Sequence, residues 1–178
     1  EVVRVLVRFT EMLRPELPGI AASGDYLTTM DLIRAKARFA LDNDCTMPIV
    51  EEGSSILLKN ARHTLLAQTL RKEGKSVVPL DLVLTPQKHI LVISGPNAGG
   101  KSVCLKTVGL LQYMMQCGLL VSASENSEMG IFRSIFIDIG DEQSIDNDLS
   151  TYSSHLLNMK NILRHADNRS LILIDEFG

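Results

Sequence analysis

The segment Gly95-Pro96-Asn97-Ala98-Gly99-Gly100-Lys101-Ser102 has the residue types and spacing of a phosphate cradle. Glycines let a backbone curl until successive N–H groups face one anion, and the N-terminus of a following helix adds partial positive charge. The segment fits the Walker A pattern, in which Lys101 would reach the β- and γ-phosphates of ATP and the Ser102 hydroxyl would hold Mg²⁺. As bare structure, the same residues make a Gly-rich strand-to-helix turn with a solvated lysine.

A second pattern lies downstream. Leu171-Ile172-Leu173-Ile174 runs into Asp175 and Glu176, which describes a central strand with carboxylates at its C-terminal edge. Ligands of open α/β sheets bind at that edge. Asp175 would hold Mg²⁺ through its water shell, and Glu176 would orient and polarise an attacking water. Many strands end in acids, and it is the upstream cradle that gives this pair its reading. Between the two, Asp148-Leu149-Ser150-Thr151-Tyr152 opens a helix, where Asp148 or Ser150 is equally a plain N-cap.

The elements that must carry these residues follow from periodicity. One helix runs to about Leu13 and is broken by Pro15 and Pro18. A second is expected over Asp25–Asp42, with Met30, Ile33, Ala37 and Ala40 on one stripe. Strands are expected at Ser55–Leu58 and Val77–Leu84, with a short helix near Leu65–Arg71 between them. His89–Ser94 reads as a strand buried on both faces, because Ile90-Leu91-Val92-Ile93 is uninterruptedly apolar. A helix over Lys101–Gln116, a strand over Ile131–Ile139, a helix over Leu149–Arg164 and a strand over Leu171–Ile174 complete the pattern. In the last helix Leu149, Tyr152, Leu156, Met159 and Leu163 form the expected apolar stripe. The alternation predicts a layered α/β fold: a partial P-loop NTPase domain over 51–178, preceded by a short helical piece over 1–50.

Composition bounds the rest. The chain has 178 residues, 45% hydrophobic and 22% charged, with 18 Lys+Arg against 21 Asp+Glu for a net charge of −3. That excludes a disordered or fibrous chain and gives no whole-chain attraction to nucleic acid or anionic membranes. No apolar run approaches the roughly 20 residues of a membrane helix, so no membrane partner is expected. Three cysteines, Cys45, Cys104 and Cys117, stand at no metal-ligand spacing, which favours a reducing, cytoplasmic setting over a disulfide framework. No secretory or lipidation signal is recognised. The lack of an initiator Met and the stop after the acidic pair suggest a piece of a longer protein.

In order and spacing, GPNAGGKSVCLKTVGLL, IFIDIGDEQSIDNDLSTYSSHLLNM and SLILIDEFG resemble the MutS ATPase domain. ARHTLL at 61–66 resembles that family's Arg-His-Pro motif, with Thr64 in place of Pro. Ala98, Val103 and the IGDEQSI and STYSSH segments fit the second bacterial branch over the mismatch-repair branch, and LDLIRAKARFAL resembles the end of its helical core region. The resemblance implies a P-loop ATPase, similar to ABC-type enzymes, that dimerises to build two composite ATP sites. It implies that Gly95, Pro96, Asn97, Ala98, Gly99, Gly100, Lys101, Ser102 and Val103 bind nucleotide, with Asn97 near the γ-phosphate. Lys101, Glu176 and Ser150, the last acting across the dimer, would be catalytic, and Ser102 and Asp175 would be the Mg²⁺ residues. Val77 and Val78 fall where the family packs against adenine, though a Val-Val pair is also simple core. Members of this branch bind branched DNA and suppress homologous recombination; some split collided ribosomes, and many carry a C-terminal nuclease domain. The resemblance therefore implies a homodimer, DNA and the ribosome as partners of the full-length protein, and endonuclease activity only where a nuclease domain follows.

Other residues admit readings of their own. His155 is expected at a surface or boundary, one step off its helix stripe, and His63 in a loop. Cys104 lies near a helix N-terminus that could lower its pKa, but packing is the simpler role. Asp141, Glu142 and Gln143 line the nucleotide site or make a turn, and Lys72 and Lys75 sit in a solvated loop. Two other functions share the cradle. A small-molecule kinase would need an Arg-rich lid, which the sequence lacks; a nucleotide-gated scaffold with little hydrolysis would not need Glu176.

Overall fold

The computed structural model describes residues 1–96, 100–139 and 148–175, with the backbone alone for 148–154. Two compact units divide the chain, Glu1–Phe39 and Ala40–Gly178. The first is helical. Helix α1 (Val2–Leu13) passes through one 3₁₀ turn, Arg14–Glu16, into α2 (Leu17–Asp42). The prolines therefore interrupt the helix for a single turn only. Pro18 lies in the first turn of α2, where its missing N–H has no intrahelical partner to lose, so α2 starts at Leu17 rather than at Asp25. The expected stripe stays exposed at Met30 and Ile33, and Ala40 alone is buried on α2.

The second unit contains two sheets. Strands β1 (Ile49–Glu51), β2 (Ile56–Ala61), β3 (Leu80–Leu84) and β4 (Glu128–Gly130) form one, in the order β1-β4-β2-β3. Only the β1–β4 pair is parallel. Short β1 and β4 carry too few residues for a readable period. Strands β5 (Ser134–Asp138) and β6 (Ser170–Ile174) form the second sheet, parallel and in register from Ser134 opposite Ser170 to Asp138 opposite Ile174. Helix α3 (Thr64–Lys72) joins β2 to β3, α4 (Lys101–Gln116) follows the Gly-rich turn, and α5 (Asp148–His165) leads to β6. The chain is a mixed α/β protein, as expected.

One expected strand is absent. Residues 89–94 form no strand, and Ile90 and Val92 are 76% and 82% exposed. An apolar run supplies side chains for burial, but ladder hydrogen bonds must come from a neighbouring strand, and β5–β6 is two-stranded here.

Helix α4 is the pivot of the unit. Val108, Leu111, Met114 and Met115 are buried along it. On one flank, a Cβ added at Gly109 would stand 2.8 Å from Leu173 Cδ1 and 3.7 Å from Ile137 Cδ1, so the missing side chain lets the helix lie directly on β5 and β6. On the other, Gln112 Nε2 donates to Gly130 O at 2.8 Å and to Gln116 Oε1 at 2.9 Å. Gln116 pairs with Phe132 like a strand neighbour: Oε1 accepts from the backbone N at 2.9 Å and Nε2 donates to the carbonyl at 3.1 Å. Among the described residues no helix is long and apolar enough to cross a membrane.

Gly109→Leu should destabilise the domain by about 1–3 kcal/mol, the usual range for overpacking. Gly109→Ala should cost less, because a helix-propensity gain of about 1 kcal/mol offsets the turn that Leu173 must make. Urea denaturation of both variants checks the order; equal stabilities would mean that α4 is not closely seated on β6.

Candidate functional site

The Gly-rich turn delivers its backbone to α4 in a conformation suited to glycine. Gly95 has φ +154°, and Gly100, the N-cap of α4, is left-handed at φ +83°, ψ +16°. Nothing lies within 4 Å of a Cβ added at either, so the requirement is conformational rather than steric. The helix starts with Cys104 N donating to Gly100 O at 2.9 Å. Lys101 folds back over the turn, its Nζ donating to Gly95 O at 2.9 Å.

This helix end is built against ordinary capping practice. No side-chain cap is made among the described residues, and no acid stands in its first turn. Its first residue is a lysine, where a cation costs roughly 0.3–1 kcal/mol against the helix dipole. Such an end is suited to an external anion. Ser102 is half-buried and Pro96 exposed. Val103 is 39% exposed and Val78 is 86% exposed, so Val78 is not core. Asn97, Ala98, Gly99, Glu176 and the 140–147 segment with Asp141, Glu142 and Gln143 lie outside the described residues, as does the side chain of Ser150.

The strand ends carry a second polar group. Asp175 N donates to Asp138 O at 2.9 Å, placing two acids at the adjacent C-terminal ends of β6 and β5. Asp175 is half-buried. Leu105, Gly109, Ile139 and Leu173 line one groove of about 280 Å³, so the N-terminal half of α4 lies over these strand ends. The structure thus joins Gly95 directly to Lys101, sets Gly100, Lys101 and Ser102 on the first turn of α4, and puts Asp175 at the strand edge. The two candidate Mg²⁺ residues present a hydroxyl and a carboxylate, hard oxygen donors of the kind that cation takes. Among the described residues no group of three or more His, Cys, Asp or Glu forms a separate metal cage.

Asp138 is the residue that sequence reasoning passed over. Its side chain is 4% exposed; Oδ2 lies 3.0 Å from His155 Nδ1, and Oδ1 accepts from Asn158 Nδ2 at 2.9 Å. Burial pushes its pKa up, but the His155 and Asn158 hydrogen bonds and the His155 charge outweigh this, and the net shift is down. An ionised carboxylate only accepts, so His155 Nδ1 carries the proton and donates. The available signal was Ile135-Phe136-Ile137-Asp138, an apolar run into an acid like the one that ends β6.

His155 is half-buried at a boundary, as expected, and it is the neighbouring apolar stripe that the structure corrects. His155 faces the sheet, 31% exposed, with Ile162 buried on the same side, whereas Leu156 and Leu163 of the expected stripe are 52% and 86% exposed. The helix docks through 155, 158 and 162 because Asp138 offers hydrogen-bond acceptors there, which hydrophobic periodicity does not register.

His63 lies in the loop after β2, as expected, and there it caps α3, its Nδ1 accepting from Leu66 N at 3.2 Å. Burial lowers its pKa, and the Lys106 charge adds to this against a backbone hydrogen bond that raises it. Thr64 occupies the first position of α3, where proline is otherwise favoured; it is buried, with its hydroxyl 3.0 Å from Ser122 Oγ. Burial pushes the Cys104 thiol up, which favours packing over reactivity.

Asp138 has a lowered folded-state pKa, so its stabilisation is present above the ordinary carboxylate range and is lost as pH falls through the lowered value. The melting-temperature gap between wild type and Asp138→Asn should therefore be widest near neutrality and close progressively below about pH 4. A gap independent of pH would mean that folding does not shift the Asp138 pKa, and a gap that opens as pH falls would mean that it raises it.

Residues 91–178 match the family described as MutS domain V. The chain is 46% identical over 175 residues to the protein named Endonuclease MutS2 of Carboxydothermus hydrogenoformans, covering 98% of this chain and 22% of that protein. The proteins of the same name from Ruminiclostridium cellulolyticum and Latilactobacillus sakei are 43% and 42% identical over 178 residues, each covering 100% of this chain and 22% of the relative. The chain thus spans 22% of the length of these curated relatives.

Proposed function

Because the chain belongs to the MutS family, as a MutS2-type member, we propose that it is the P-loop part of an ATPase that binds and hydrolyses Mg-ATP. The observation that carries the reading is the first turn of α4. It has no acid and, among the described residues, no side-chain cap, and it places a lysine where the helix dipole disfavours one. That lysine lies across the loop on Gly95 O, positioned to exchange a carbonyl for a phosphate oxygen.

In this reading the backbone N–H groups of the 95–102 loop other than Pro96, together with the Lys101 ammonium, hold the β- and γ-phosphates, with Asn97 beside the γ-phosphate. Ser102 and Asp175 hold Mg²⁺, which when bound neutralises charge on the phosphates. Glu176 orients the water whose oxygen attacks the γ-phosphorus as the bond to ADP breaks. Ser150 reaches the γ-phosphate held by the partner subunit, and Val78 packs on the adenine. Its exposure leaves it accessible for that contact. A group contributed across a composite site is worth roughly 10³–10⁵ in rate where arginine fingers do the same, so the isolated chain should turn over poorly.

For the full-length protein the proposal extends to a cytoplasmic homodimer whose nucleotide cycle opens and closes a clamp on branched DNA or on a ribosome. The relatives' name points to an endonuclease activity that would accompany it. Suppression of recombination and rescue of collided ribosomes are the roles that this activity would serve.

Calorimetric titration of Mg-ATP into the chain should give binding that Lys101→Ala weakens at least about tenfold, the scale of one lost charged contact. Equal binding by both would refute the cradle. In the full-length protein, Glu176→Gln should abolish turnover while leaving Mg-ATP binding intact; unchanged turnover would remove Glu176 from its role.

A further inference from the structure

Asp138 ties three elements together. Its carbonyl accepts from Asp175 at the end of β6, and its carboxylate takes one hydrogen bond from His155 and one from Asn158 on α5. Both carboxylate oxygens are therefore spent on one face of one helix. Among the described side chains of α5, Ile162 is buried and Met159 half-buried, whereas Leu156, Leu157 and Leu163 are exposed. Directional bonds to a nearly inaccessible carboxylate consequently set the axial and rotational position of α5. Ser150 lies five residues upstream of His155 on the same helix, about 7.5 Å along its axis.

We propose that Asp138 and His155 are positioning residues of the ATPase: with Asn158 they lock α5, and hence Ser150, to the strand ends that carry Asp175. The residue aimed at the partner's nucleotide and the acid that serves the chain's own nucleotide then share one brace. Loss of the brace lets α5 slide or rotate without unfolding the domain, and a displacement of about 1 Å in a reacting group can cost on the order of 10²-fold in rate. The inference rests on the ATPase reading and deepens it.

The test uses the full-length protein, with Mg-ATP turnover for kcat and KM and titration with Mg-ADP for affinity. His155→Ala should lower kcat about tenfold or more while KM and Mg-ADP affinity stay within about threefold. His155→Asn, which returns an amide N–H near the position of Nδ1, should restore kcat to within about threefold of wild type. The double variant Asp138→Ala/His155→Ala should be no slower than the worse single variant, because the two act as one unit. A wild-type rate for His155→Ala, multiplying losses in the double variant, or an Asn variant as slow as the Ala variant would each overturn the inference. Should His155→Ala fail to fold, His155→Leu, which fills the space without a donor, takes its place with the same expectations. Absence of turnover in the wild-type protein would overturn the ATPase reading and this inference with it; normal wild-type turnover indifferent to His155 would overturn this inference alone.

Discussion

A phosphate-facing loop is only as well placed as the helix that follows it, and α4 is held on both flanks. Gly109 brings it against Leu173 and Ile137, with no side chain between helix and sheet. Gln112 and Gln116 bind it to the backbone at Gly130 and Phe132 on the other side. The two flanks constrain different motions: the glycine contact sets the helix–sheet distance, and the amide–backbone pairs set the position along the axis. Gln112 is fully buried, and leaving such a group without its partner costs roughly 1–3 kcal/mol. The loop at the N-terminus of α4 inherits this rigidity through Gly100.

Charge is arranged in two layers around that helix end. The first turn of α4 is positive, from its amides and Lys101, with no acid on it. The strand ends beneath are acidic, with Asp138 and Asp175 on adjacent strands. Both carboxylate oxygens of Asp138 are already engaged, by His155 and Asn158. Asp175 is thus the acid of the pair suited to an incoming cation, which is the division of labour that the proposed chemistry needs.

The polar cluster under α3 extends the same principle. Thr64 and Ser122 share a buried hydrogen bond, Ser122 donates to Asn43 O at 3.2 Å, and Gln68 Nε2 reaches Asn43 Oδ1 at 2.7 Å. Arg71 adds bonds to Asp42 O and Asp44. Within the second unit, residues 42–44 are therefore tied to α3 and to the segment before β4 by directional bonds, a stricter constraint than an apolar contact of equal area.

Local pattern determined much of this protein. The glycines of residues 95–102 marked a strand-to-helix turn, the helix expected after it over about Lys101–Gln116 is α4, and the apolar run into Asp175 gave β6. These features depend on short-range backbone geometry and on alternation, which a sequence carries explicitly. Three others were decided only in three dimensions. Ile90–Ile93 is apolar enough for a central strand but is none, because a ladder needs a second strand that no local run supplies. Pro18 looked like a break and became a helix start, because its cost depends on its place in the turn. The pairing of His155 with Asp138 has no local signal, because the two are distant in sequence and meet only where β5 and α5 meet.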